Sequence, residues 1–417
     1  MSDNLDQDQS IFSNAILRWI DDRFPLSSLI REHATDYYAS KNFNIWYIFG
    51  VLSLVVLVIQ LLTGIFLTMS YKPSAKEAFD SVEYIMRSVE WGWLIRYMHS
   101  TGSSFFFIVV YLHMFRAMLY GSYKKPRELI WIVGMLIYFC LMAEAFFGYL
   151  LPWGNMSYWA AQVIVNLFGA IPYIGETLTE WIRGDYYISD ITLNRFFAFH
   201  VIVIPLAIIA LVFVHILALH HVGSNNPDGI EIKNYKDEQG KPIDGVAFHP
   251  YHTSKDLFWI TVFLILFFAA VFFAPEMGGY FLEVDNFEPA NPLQTPEHIV
   301  PAWYLTPYYA ILRAIPDKLM GAIALASSVL FFVFLPWLDK CKVKSIRYRG
   351  WQYKLALSCF VISFFALGYL GMQPASGIYV ALARFFTILY FIFFITMPFY
   401  TRIEKTKPVP ERVVYKK

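Results

Sequence analysis

Four histidines stand inside two strongly apolar stretches, where a titratable ring is costly. His99 and His113 close the segment HSTGSSFFFIVVYLH, and His200 and His215 lie within RFFAFHVIVIPLAIIALVFVHILALHH. On an α-helix, a separation of about 14 residues advances roughly 21 Å and returns to within about 40° of the starting face. A separation of about 15 advances roughly 22 Å and overshoots by about 60°. Each helix therefore carries both rings on one broad side. Two such helices running in the same direction pair His99 with His200 at one level and His113 with His215 at another. Ionisable groups inside a membrane mark function by default, and two facing imidazoles can ligate one metal between them. Four histidines in two separate pairs, with no cysteine or carboxylate adjoining them in sequence, do not build a tetrahedral zinc site. Two axial imidazoles suit a haem iron whose other four ligands come from the porphyrin.

Neighbouring residues agree with that chemistry. Gly50 and Gly64 repeat the interval of the first histidine pair, and Gly134 and Gly148 repeat it again. The interval predicts bare backbone beside a flat ring edge at each level, although small residues also serve ordinary helix packing. Arg96 precedes His99 by one helical turn and Arg116 follows His113 by one turn. Both are placed to pair with haem propionates, or to snorkel to the interface.

Long apolar helices must position these rings. The 417 residues are 57% hydrophobic and only 16% charged, against about 25% charged in soluble domains. Eight runs, near 44–70, 91–119, 129–151, 194–219, 257–275, 319–338, 352–372 and 378–400, reach the length of about 20 apolar residues that a bilayer requires. The fold class expected is an all-α integral membrane protein with eight transmembrane helices, the first four forming a di-haem bundle. An even number of spans puts both termini on one side. Lys and Arg crowd the terminal side, whereas the opposite loops hold only Lys72, Lys76, Arg87, Arg183, Arg313 and Lys318. Both termini are therefore expected in the cytoplasm. A net charge of +1 without a basic stripe excludes a nucleic-acid partner. Cys140, Cys341 and Cys359 lack metal or disulfide spacing and read as small core residues. No cleavable leader is evident, so the first span would act as the insertion signal.

The expected organisation runs as follows. A cytoplasmic N-terminal segment, 1–43, carries an interfacial helix over residues 10–35. The four-helix core, 44–221, includes an outer loop, 152–193. A cytoplasmic connection, 222–256, leads to a C-terminal four-helix region, 257–400, with an outer loop, 276–318, and a cytoplasmic tail, 401–417. Long loops rich in proline, glycine and aromatics are more often functional than mere linkers.

From about residue 25 to 400 the chain resembles the cytochrome b subunit of quinol–cytochrome c reductases. The stretches that carry the resemblance are LLTGIFLTMSY, GYLLPWGNMSYW, AIPYIGETLTEWIRG, RFFAFH, HHVGSNNPDGI, FHPYHTSKD and PAWYLTPYYAILRAIPDK. All eight spans in one chain resemble the respiratory form and not the split plastid form. The resemblance implies two non-covalent b-type haems, the outer on His99 and His200 and the inner on His113 and His215. It implies quinol oxidation in an outer pocket, with one electron passing to a Rieske iron–sulfur protein and then to a membrane-anchored cytochrome c subunit. The other electron crosses the haems to quinone in an inner pocket formed by His220, Ser224, Lys255 and Asp256, the whole coupled to proton translocation. A homodimeric complex in a bacterial inner membrane is also implied.

Three departures stand out. The family usually places a glutamate after the proline of the outer-pocket motif, and here that position is Ala302. Glu297 and His298 are candidates to replace the acid, with Tyr149, Tyr304 and Tyr309 as hydroxyl-bearing neighbours. Ala160 occupies a position that is glycine in many relatives. The interval between His200 and His215 is one longer than in many respiratory members, a change that altered winding or a bulge near Pro205 can absorb. Two other readings remain open on the residues alone: a di-haem subunit that wires quinone to a dehydrogenase, and a transporter with buried histidines.

Overall fold

A computed structural model describes residues 10–415; the ends of the N-terminal segment and of the tail, 1–9 and 416–417, lie outside it. Among the described residues, eight helices are long and apolar enough to cross a membrane: Ile45–Thr68, Gly92–Tyr120, Glu128–Leu150, Asp190–Val222, Phe248–Phe273, Lys318–Leu338, Trp351–Gly371 and Gly377–Ile395. The chain is thus the all-α, eight-span membrane protein that the apolar runs predict. Much of each span's apolar surface faces outward, as a lipid-facing helix requires.

Two spans extend past their apolar windows, for local reasons. The fourth begins at Asp190 because Ser189 and Thr192 form a reciprocal capping box. It ends at Gly223, whose φ of 91° only glycine adopts freely. The fifth gains a π-helical turn, Phe248–His252, ahead of the helix Thr253–Phe273. The expected single interfacial helix over 10–35 is instead three short pieces, Ala15–Asp21, Leu26–Ile30 and the π-turn Arg31–Thr35. Pro25, which cannot donate to a continuing ladder, separates the first two. Cys140, Cys341 and Cys359 are free and half-buried.

Helix pairing organises the molecule. The first span packs along the second, the third along the fourth, and the fifth against the second. The seventh and eighth pack together, and the short helix Thr306–Ala314 lies against both. A two-stranded antiparallel ladder, Tyr38–Ser40 with Gly245–Ala247, ties the N-terminal segment to the connection between spans four and five.

The loops on the terminal side are locked by buried charge. Arg349 grips Asp339 at 2.5 and 3.0 Å and Glu404 at 2.5 and 3.0 Å. All three side chains are at most 1% exposed. Lys124 reaches Asp339 at 2.9 Å, and the Tyr123 hydroxyl donates to it at 2.5 Å. Arg127 forks onto Glu231 at 2.6 and 2.8 Å and donates to the Gly223 carbonyl at 2.9 Å. Burial raises the Glu231 carboxyl, but Arg127 and Lys344 override it and bring the pKa down to about 2. Segments following spans two, four and six, and the tail, are thereby clamped together.

Breaking a buried pair leaves an uncompensated charge and costs about 3–5 kcal/mol. Arg349→Met should therefore lower the melting temperature of the solubilised complex far more than Arg347→Met, whose side chain is 42% exposed. Burial raises the Asp339 carboxyl, yet Arg349 and Lys124 hold it below its ordinary value. Its contribution is thus present above the unfolded carboxylate range and is lost as pH falls through the lower folded value. The difference in melting temperature between wild type and Arg349→Met should narrow under acid.

Candidate functional site

The four histidines meet in the two predicted pairs. His99 and His200 have ring centroids 6.1 Å apart, and His113 and His215 have centroids 6.4 Å apart. The longer interval in the fourth span is absorbed where His200 itself sits: Phe199–Val203 is a π-helical turn, immediately before Pro205 enters the helix Ile204–Val222. A π-turn accommodates one extra residue, so both helices present their rings at matching heights.

Each ring lies against a glycine of the adjacent helix. A Cβ on Gly64 would stand 3.3 Å from His99 Cε1, one on Gly50 3.3 Å from His113 Cε1, and one on Gly134 3.2 Å from His215 Cε1. A Cβ on Gly148 would collide with the His200 ring. Bare backbone therefore lies beside each histidine ring, at the levels the glycine intervals predict.

Hydrogen bonds orient the outer pair. The Thr63 hydroxyl donates to the Ile59 carbonyl at 2.6 Å, so its oxygen accepts from His99 Nδ1 at 3.0 Å. His200 Nδ1 donates to the Glu144 carbonyl at 3.0 Å. In both rings Nε2 is then the nitrogen left with a free lone pair, the state a metal ligand requires. The Glu144 carboxylate also approaches His200 Nδ1, at 3.1 Å, while its second oxygen has no partner among the described residues.

The residues fit haem ligation. Two bonds of about 2.0 Å from a metal to facing imidazole nitrogens, plus about 1.1 Å from each nitrogen to its ring centre, would put the centroids about 6.2 Å apart. The observed 6.1 and 6.4 Å bracket that value. Arg116 lies over the Tyr47 ring at 4.8 Å and donates to Ser122 at 3.1 Å, and its buried Nε has no partner among the described residues. Arg96, one turn before His99, is half-buried.

Beyond the His99–His200 level, on the side opposite the termini, lie the outer-loop residues. The helix Asn155–Phe168 is tied to the segment after span five: Asn155 N donates to Glu288 O at 2.9 Å and Ser157 N to Asn286 Oδ1 at 2.9 Å. Gly154 permits this approach, since a side chain there would strike Asn286. Ala160 is buried on this helix. Tyr304 stacks on Phe107 with centroids 3.9 Å apart, and Trp303 donates to Ser104 at 3.0 Å. Tyr309 donates to the Ile299 carbonyl at 3.0 Å beneath Arg313. Burial raises the hydroxyl pKa of both Tyr304 and Tyr309.

Glu297 and His298 are not gathered into this group. Both are exposed, on non-helical chain, so the helical spacing that would align His298 with Ala302 is absent. The acid that does enter is Glu283, which accepts from the Tyr149 hydroxyl at 2.9 Å. Burial pushes its carboxyl up to about 7. No local spacing marks Glu283, because its partner lies in a distant helix. Glu144, by contrast, is detectable as an acid inside an apolar run.

On the terminal side, Ser224 meets the Tyr37 hydroxyl at 3.0 Å, and Tyr37 stacks on His220 with centroids 4.5 Å apart. Lys255 donates to the Tyr251 hydroxyl at 3.0 Å, and Asp256 beside it is half-buried. Tyr37 is a further residue that no sequence motif singles out.

Comparison with known proteins places this architecture. Residues 34–223 match the family model described as cytochrome b/b6/petB, and residues 289–391 match cytochrome b (C-terminal)/b6/petD. The cytochrome b of Allochromatium vinosum is 59% identical over 407 residues, covering 95% of this chain and 98% of that one. A protein of Bradyrhizobium diazoefficiens named cytochrome b/c1 is 46% identical over 96% of this chain, which spans 57% of its length. A solved chain of a hyperthermophilic respiratory complex III superposes with a TM-score of 0.87 at 41% identity, covering 93% of this chain and 99% of that one. This chain belongs to the cytochrome b family: it is the haem-binding, electron-transferring membrane subunit of a quinol–cytochrome c reductase, respiratory complex III.

Proposed function

We propose that the chain holds two b-type haems and works between two quinone sites, oxidising quinol on the side opposite the termini and reducing quinone on the terminal side. The observation that carries this reading is the pair of histidine couples with centroids 6.1 and 6.4 Å apart, each ring backed by glycine. His99 and His200 would hold the outer haem, and His113 and His215 the inner. When bound, the haems supply one-electron chemistry across the membrane. Arg96 and Arg116 would take the propionates as charge-assisted contacts.

The protein residues supply binding and protons. Tyr149, Tyr304, Tyr309 and the helix carrying Ala160 would line the outer site. His220, Ser224, Lys255 and Asp256, with Tyr37, would line the inner one. Quinone reduction consumes protons, so titratable groups at that level are needed.

Separate proteins would take the later electrons. A Rieske iron–sulfur protein and a membrane-anchored cytochrome c subunit fit those roles, and the fused cytochrome b/c1 relative supports the second. The complex would be a homodimer in a bacterial inner membrane. Lys and Arg crowding on the terminal side supports cytoplasmic termini.

A redox titration of the assembled complex should resolve two b-type components of different midpoint. His99→Leu should abolish one and His215→Leu the other; one component in the wild type would refute the two-haem reading. Gly148→Ala, which drives a methyl into the His200 ring, should lose more haem than Gly64→Ala, where the neighbour must yield only slightly. Haem per chain, measured as the pyridine haemochrome, checks this.

A further inference from the structure

By the resemblance described above, the outer-pocket motif has alanine, Ala302, where the family usually places an acid, yet quinol oxidation must release protons. The loop 276–318 contains six carboxylates: Glu276, Glu283, Asp285, Glu288, Glu297 and Asp317. Five are exposed, and Glu283 alone is half-buried. Its Oε2 accepts from Tyr149, which directly follows Gly148, the glycine that backs His200.

The placement of Glu283 beside the motif is held by rings. Phe281 stacks on Trp303, the residue after Ala302, with centroids 6.4 Å apart and planes 21° from parallel. Phe281 also meets Phe105 at 6.2 Å, and Trp303 is anchored to Ser104 at 3.0 Å. The segment bearing Glu283 is thus pinned to the motif that lost its acid. On the other side Val284 and Asp285 are exposed, so a proton taken up at Glu283 has a short way to solvent.

We propose that Glu283 is the proton acceptor for quinol oxidation in the outer pocket, with the Tyr149 hydroxyl holding its carboxylate in place. The assignment rests on the outer-site reading above. One quinol O–H bond breaks and one O–H bond forms on a Glu283 carboxylate oxygen. The two electrons of the quinol go to the one-electron acceptors of the reductase reaction, and the second proton leaves by another route. Glu283 then loses its proton to water and is ready again.

The surroundings suit a base that must both gain and release a proton near neutrality. The titratable groups facing Glu283 are Tyr149 from the third span and Tyr304 from the motif, with Asp285 beyond on its own segment. Burial is what raises the carboxyl to about 7, and the Tyr149 hydrogen bond opposes that rise. No basic side chain is among these groups.

The test uses the assembled complex with a quinol donor and cytochrome c as acceptor. Loss of a general base costs about 10²–10⁴-fold in rate, and water can replace part of it. Glu283→Gln should lower kcat at least about tenfold, with a smaller change in KM, unchanged haem spectra and loss of the acid limb of the pH–rate profile. Adding Ala302→Glu to that variant should restore turnover. Tyr149→Phe, a variant that keeps the acid, should move the acid limb to higher pH, because it removes a bond that favours the ionised form. A Glu283→Gln complex with wild-type kcat and pH profile overturns the proposal, as does a loss confined to Glu297→Gln. If Glu283→Gln does not assemble, an unshifted acid limb in Tyr149→Phe overturns it equally. Failure of the wild type to oxidise quinol would instead overturn the outer-site reading itself.

Discussion

An imidazole buried among hydrocarbon is oriented by a hydrogen bond at one nitrogen while the other is kept for a ligand, and the outer level of the first four spans is arranged around that requirement. The outer pair shows how. Thr63 and the Glu144 carbonyl each take an Nδ1 proton from the neighbouring helix. For those bonds to form, the first span must run close along the second and the third along the fourth. Gly50, Gly64, Gly134 and Gly148 ease the approach, because a side chain at Gly148 would strike the ring and one at the other three would crowd it. At the outer level, helix pairing and ring orientation thus follow from one constraint.

Local periodicity makes this part of the molecule legible. Each of the eight apolar runs corresponds to a span, since the length needed to cross a bilayer is read directly along the chain, although the fifth span starts nine residues before its run. Histidine and glycine intervals are likewise local, so their levels match by counting along the chain alone. What the glycines face is less legible: a repeat of 14 shows register, but not whether a porphyrin edge or an imidazole fills the gap. The extra residue between His200 and His215 is visible as a count, while its cure, a π-turn at Phe199–Val203, depends on helix packing.

Pairings across great sequence distance are not legible. Tyr149 and Glu283 are 134 positions apart, and Tyr37 and Ser224 are 187 apart. No spacing rule connects such residues. A family resemblance transfers only positions that match its motifs, and Glu283 lies upstream of the motif. The same limit explains Glu297: proximity in sequence to Ala302 makes it a candidate, but the chain from 291 to 302 is not helical and turns that side chain outward. The two faces of the protein differ in how they are held. Buried ion pairs weld the terminal side, whereas aromatic stacking and backbone bonds shape the opposite loops, and among the described residues no lysine or arginine figures among the groups that set the Glu283 carboxyl.

That difference bears on why an acid can move within a family site. A proton acceptor in a membrane pocket needs reach to the substrate and a route to water, and neither demand specifies a sequence position. Position 302 adjoins a buried interior, where Tyr304 is stacked on Phe107 and Trp303 is bonded to Ser104. Position 283 adjoins exposed Val284 and Asp285 while its carboxylate turns inward to Tyr149. Half-burial without a cationic partner is unfavourable for a carboxylate, and that penalty is what brings its pKa near neutrality. A fixed lysine or arginine in the same wall would stabilise the loop and spoil the base. On the assignment proposed for Glu283, the outer loop gives up electrostatic stability where the terminal side accumulates it, and the chemistry of the pocket would depend on that difference.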